Sequence, residues 1–108
     1  MRILFDQGTP APLRHALRGH DVETAYERAW SRLTNGELIS AAEEAGFDVF
    51  VTTDRSLRYQ QNLAGRRLSI VVLMSASWPR IQRVVQTVVE AVNAATPGGY
   101  REVEVAAS

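Results

Sequence analysis

Short apolar runs alternate along this chain with longer stretches in which apolar residues recur at helical spacing. Arg2–Phe5 reads as a first β-strand, Asp21–Thr24 as a short second one, residues 49–53 as a third and residues 68–74 as a fourth. The third and fourth are nearly continuous apolar runs, the mark of strands buried on both faces. Residues 100–105 alternate apolar and polar positions, as an edge strand does.

The segments between carry helix signals. Thr9-Pro10 predicts a helix start, with Thr9 as N-cap and Pro10 in the first helical position. That helix would bury Leu13 and Leu17, expose Arg14 and Arg18, and stop at Gly19-His20. Thr34-Asn35-Gly36-Glu37 has the spacing of a capping box. Leu38, Ile39, Ala41, Ala42 and Ala45 follow as the apolar side of a helix that Gly46 closes in a left-handed conformation. Residues 56–63 predict a short polar helix. Ser77-Trp78-Pro79 opens the longest one, in which Ile81, Val84, Val85, Val88, Val89 and Val92 share a face until Pro97-Gly98-Gly99 breaks it. Residues 25–33 stay ambiguous between helical turn and loop, although Tyr26 and Trp30 have helical spacing. Strands alternating with helices predict a single α/β domain with a mainly parallel sheet of about five strands.

Composition narrows the chemistry. At 108 residues one domain is expected. Cysteine is absent, which removes disulfides, thiolate zinc sites and thiol nucleophiles. His15 and His20 have no companion ligands and are expected in surface or packing roles. Twelve basic residues balance twelve acidic ones, so no global field attracts a polyanion. All the basic residues are arginine, and the absence of lysine excludes every mechanism that needs one. No apolar stretch approaches the ~20 residues that cross a bilayer, and no signal-peptide pattern opens the chain, so a cytoplasmic location without a membrane partner is expected.

Two acids then stand out. Asp6 and Asp54 each follow an apolar strand, at the carboxyl ends where open parallel sheets bind ligands. Each also has a structural reading: Asp6 as the opening of a turn at Gln7-Gly8, Asp54 as a cap for the segment after it. Glu37 can be the return half of its capping box. In a right-handed βαβ unit, however, the helix that Glu37 opens begins on the same rim. Three carboxylates on one edge would suit Mg²⁺, which binds one or two of them and keeps several waters. Asp21 and Asp48 fall on the opposite rim, and Glu23, Glu27, Glu43, Glu44, Glu90, Glu102 and Glu104 are expected to be solvated surface.

Taken together, residues 2–10 (Arg-Ile-Leu-Phe-Asp-Gln-Gly-Thr-Pro), Gly19-His20-Asp21-Val22, Asn35-Gly36-Glu37-Leu38-Ile39 and Val51-Thr52-Thr53-Asp54 resemble the small PIN-like domains, a compact branch of the PIN nuclease superfamily. The resemblance covers the chain from Met1 to about Val92. It implies a three-layer domain and a ribonuclease dependent on Mg²⁺ or Mn²⁺, often the toxin of a toxin–antitoxin pair. By position it makes Asp6, Glu37 and Asp54 the catalytic and metal-binding acids, with Thr53 in support. Two departures are visible: Gln7 stands where many relatives have an acid, and Met74-Ser75-Ala76-Ser77 lacks the usual fourth carboxylate, which implies one metal rather than two.

The functional expectation is phosphodiester hydrolysis of an RNA substrate, with Arg55, Arg58, Arg66 and Arg67 as candidate phosphate contacts. The competing expectation is a catalytically weak or inactive module of the same fold that acts through an antitoxin or nucleic acid. A homodimer through the last strand stays open. Other α/β chemistries fail on named positions. A phosphoacceptor receiver needs a lysine, a haloacid-dehalogenase-type phosphatase needs an aspartate where Gly8 stands, and Gln7-Gly8-Thr9-Pro10 is neither a dinucleotide nor a Walker-type phosphate loop.

Overall fold

The computed structural model describes residues 1–60 and 63–105, with only the backbone of 59 and 60. Five strands form one sheet: β1 (Arg2–Phe5), β2 (Asp21–Thr24), β3 (Val49–Thr52), β4 (Ser69–Leu73) and β5 (Tyr100–Val103). Their order is β2-β1-β3-β4-β5 and every pairing is parallel. A 3₁₀ helix (Ala11–Ala16) links β1 to β2, α1 (Asn35–Glu44) links β2 to β3, and α2 (Leu57–Gln60) lies between β3 and β4. Helices α3 (Trp78–Arg83) and α4 (Val85–Asn93) lead to β5.

The strand pleat builds two cores. Ile3, Phe5, Val49, Val51, Val71 and Leu73 face the 3₁₀ helix, α3 and α4, where they meet Leu13, Leu17, Ile81, Val88 and Val92. Leu4, Phe50, Ile70 and Val72 face the other way onto Leu38, Ile39 and Ala42 of α1 and Leu57 of α2. The result is a three-layer α/β domain in which β1, β3 and β4 are covered on both sides. That accounts for their unbroken apolar character. Among the described residues no helix is long and apolar enough to cross a membrane.

Two predicted helices differ. The first is a 3₁₀ helix capped by Pro10, and Thr9 makes no cap because its hydroxyl turns inward to Asp6 and the Val51 carbonyl. The long C-terminal helix is two. It breaks at Val84 (φ −119°, ψ 24°), at a β-branched Val84-Val85 doublet that tolerates helix poorly. Val85 is half-buried and Val92 fully buried. The helix predicted over residues 56–63 is observed as α2, and its positions 61 and 62 lie outside the described residues.

Candidate functional site

The chain winds from β1 outward to β2, then returns across to β3 on the other side of β1. The carboxyl ends of β1 and β3 therefore flank the point where the sheet changes direction, the usual place for a ligand crevice in such a fold. Asp6 follows β1 and Asp54 follows β3 closely, so sequence position alone brings both acids to that point.

Asp6 is 6 % exposed and nearly saturated with donors. Its Oδ1 accepts from the Thr9 amide (3.0 Å) and the Thr9 hydroxyl (2.6 Å), and its Oδ2 accepts from the Thr52 hydroxyl at 2.5 Å. The buried Thr52 hydroxyl in turn accepts from the Asp54 amide at 3.0 Å. Thr52 thus ties the two acids together in one oriented chain. A Cβ at Gly8 would stand 2.6 Å from the Thr53 hydroxyl, so a larger residue there would have to displace that side chain.

Asp54 is half-buried. Its Oδ1 accepts from the amide (3.1 Å) and hydroxyl (2.8 Å) of Ser56, which starts α2, and its Oδ2 accepts from Asn35 Nδ2 at 2.7 Å. Burial pushes the Asp54 carboxyl up, but the hydrogen bonds from Asn35 and Ser56 outweigh it and hold the group below its ordinary range. With about four acceptor positions per carboxylate, Asp6 Oδ2 and Asp54 Oδ2 each take one donor from among the described residues.

Glu37 sits on the same rim but does not join them. Its carboxylate accepts from the Thr34 amide (2.9 Å) while its own amide donates to the Thr34 hydroxyl (3.2 Å), a complete capping box. The Thr34 amide, its main partner, holds the exposed Glu37 carboxyl below the usual range. From this first turn it is Asn35 that reaches Asp54. Among the described residues no three histidines or acids gather into a group that would hold a metal. The donor set that exists is two carboxylates, the Asn35 amide and hydroxyls, which fits a hydrated Mg²⁺ bound through one or two carboxylates.

The arginines divide. Arg55 is exposed on the rim directly after Asp54, and Arg58 leans towards β5, 3.7 Å from Glu102. Arg66 and Arg67 precede β4, at the opposite end of the sheet. The Arg66 guanidinium pairs with Glu43 at 3.2 Å, and Glu43 also accepts from the Arg67 and Leu68 amides. Glu43 is therefore a buried-side clamp for the chain entering β4, not the solvated acid its position predicted.

Glu27 is likewise engaged. Arg14 donates to both its oxygens, Thr24 donates its amide to it, and together they hold its carboxyl down to about 2, the arginine contributing most. This fixes the first part of the ambiguous stretch, residues 25–30, as one turn, and the Leu33 amide donating to the Trp30 carbonyl makes a second. Trp30 N–H donates to the Ala25 carbonyl and Ala29 N–H to the Tyr26 carbonyl, with Ala29 in the left-handed region at φ 61°. That is a Schellman closure with alanine where glycine is usual. Gln7 fastens the far side, donating from its amide to the Ser31 (2.8 Å) and Leu33 (3.1 Å) carbonyls. A carboxylate at position 7 has no hydrogen to donate to them, which explains why an amide can stand there.

The strand order and the hydroxyl-linked acids together define a doubly wound α/β domain with a pair of carboxylates at its switch point. No family model matches the chain, and neither a curated protein nor a solved structure does so. Thr9, Thr52, Asn35 and Ser56 were not read as site residues from the sequence: Thr9 and Asn35 entered only within helix-start motifs, and Thr52 only within the run that ends at Asp54.

Proposed function

We propose that the Asp6–Asp54 crevice is a hydrolytic site for RNA phosphodiesters and that it works with Mg²⁺ or Mn²⁺. The observation that carries this reading is the Thr52 link. A buried carboxylate and a partly exposed one are held in fixed orientation at the switch point, each with an Oδ2 that takes one donor from among the described residues. Asp6 and Asp54 would hold the cation through those oxygens, with Thr52 and Thr9 fixing the Asp6 carboxylate and Asn35 and Ser56 fixing Asp54. A bound divalent cation supplies polarisation of a phosphoryl oxygen and a more acidic water. Arg55, on the rim beside Asp54, is placed to meet a substrate phosphate. Glu37 reaches the pair by leaving its capping box, and from there would orient the attacking water.

The second reading is a fold-only module that binds partners without chemistry. The engagement of Glu37 in its cap favours it, as does the lack of an acid at residues 74–77. Labelled single-stranded RNA incubated with Mn²⁺ decides between the two. The hydrolytic reading expects cleavage that falls by at least about a hundredfold in Asp6→Asn and in Asp54→Asn, comparable to the loss of a catalytic electrostatic group. Cleavage that survives both substitutions sinks it, and no cleavage by the parent leaves the module.

A further inference from the structure

We infer that Tyr26 is a stacking platform for an unpaired nucleobase of single-stranded RNA, an inference that rests on the hydrolytic reading and names its substrate class. The Tyr26 ring is 81 % exposed, and among the described residues Met1 is the other large hydrophobic side chain left open. A surface tyrosine that packs on nothing needs no fixed backbone, yet this one is held from every side. Ala25 before it is buried and donates its amide to the Phe5 carbonyl at 2.8 Å. Glu27 after it is gripped by Thr24 and Arg14, and the turn closes through a left-handed Ala29. Trp30 anchors the end of the turn edge-on against Phe47, with ring centres 6.3 Å apart.

The turn presents the ring at a depression of about 660 Å³ that Asp6, Thr9, Arg14, Tyr26 and Trp78 share. This volume is within the ~300–1,000 Å³ of small-ligand sites. The wall chemistry chooses the occupant. Arg14 is neutralised by Glu27, and the whole chain has no net charge, so this wall offers little to a phosphate. Two aromatic residues beside Asp6 instead suit a base face next to a phosphodiester held at the proposed site. Stacking is indifferent to base identity because every base has a π-face. A duplex hides those faces, so the platform selects unpaired strands. Because salt dependence counts neutralised phosphates, binding here depends only weakly on ionic strength.

The test is binding without cleavage: a fluorescein-labelled single-stranded RNA carrying one 2-aminopurine, titrated with the full chain in EDTA. The expected result is quenching of the 2-aminopurine and a Kd that weakens about tenfold or more in Tyr26→Ala, the usual loss for one stacked base. Tyr26→Phe keeps both the affinity and the quenching, and an abasic probe behaves with the parent chain as the intact probe does with Tyr26→Ala. Those conservative and abasic arms decide the question even if Tyr26→Ala melts early. Unchanged binding by Tyr26→Ala, equal affinity for the duplex, or no binding of the single strand by the parent overturns the inference. If Mn²⁺-dependent cleavage persists in that case, the stacking inference alone has failed. If cleavage is absent too, the hydrolytic reading falls with it, and a protein partner becomes the occupant to seek.

Discussion

Replacing Thr52 by valine removes one hydroxyl while keeping the shape of the side chain, and the structure sets what that should cost. Two groups lose their partner: Asp6 Oδ2, whose donor lies at 2.5 Å, and the Asp54 amide, whose acceptor lies at 3.0 Å. A hydrogen bond to a charged group contributes about 1.5–3 kcal/mol, and an orphaned buried donor costs about 1–3. Asp54 is half-buried, so its amide recovers part of its loss from water. The added methyl returns roughly 0.8 kcal/mol. The net expectation is about 2 kcal/mol, which lowers the melting temperature of a domain this size by roughly 10 °C. Urea unfolding followed by circular dichroism measures it, with Thr52→Ser as the variant that keeps the hydroxyl. Combining Thr52→Val with Asp6→Asn should give a coupling of about 1 kcal/mol or more, since the two touch directly. A Thr52→Val chain within about 0.5 kcal/mol of the parent, the range of an uneventful surface change, would refute the claim that this hydroxyl holds the acids together.

Ala29→Gly should stabilise the chain by about 0.5–1 kcal/mol: left-handed alanine costs roughly 1–2 kcal/mol, of which the extra freedom of glycine in the unfolded chain cancels part. An unchanged or lower urea midpoint contradicts that account of the 25–30 turn. The acid limb of stability follows from Glu27, Glu37, Glu43 and Asp54, whose carboxyls are all held below their ordinary range. Groups depressed in the folded state bind fewer protons there than when unfolded, so their contribution is complete above the ordinary carboxylate pKa and disappears as pH falls through the folded values. The urea midpoint should begin to fall near pH 4.5 and go on falling towards about 2, the span set by Glu27, and Glu27→Gln should flatten the lower part. A midpoint that rises on acidification has the wrong sign.

The elements that buried apolar runs define were readable in advance, because a strand covered on both faces has little choice of residue. Val49–Thr52 and Ser69–Leu73 are buried at every position. Gly46 at φ 85° and the Thr34–Glu37 box were readable for the same kind of reason, each being a local solution to a helix end. What local pattern misjudged was settled by distant partners. Thr9 had the right neighbour in Pro10 to be an N-cap, but Asp6 and the Val51 carbonyl compete for its hydroxyl from inside the fold. Glu43 looked like a free surface acid because the amides of Arg67 and Leu68 are remote in sequence, whereas Glu27 is the surface acid its position predicted, fastened there by Arg14. The turn at 25–30 escaped because its closing residue is alanine and not glycine.

The rim argument named Glu37 as the third acid; the structure brings the first turn of α1 to that rim but keeps Glu37 on its own capping box. The first turn of α1 does reach Asp54, through Asn35. An α-helix turns about 100° per residue, so residues two apart project about 200° from each other. With Asn35 facing Asp54, Glu37 necessarily faces away, and the Thr34 amide it finds there completes the cap. One helix start cannot aim both side chains into the crevice at once. For Glu37 to act on a ligand, the box must open, at a cost of about 1 kcal/mol of helix stability. A ligand held by Asp6 and Asp54 can supply that readily, because 1.4 kcal/mol is only tenfold in affinity. The arrangement seen, with an amide on Asp54 and Glu37 on its own helix cap, is the state from which the proposed cation site would have to form.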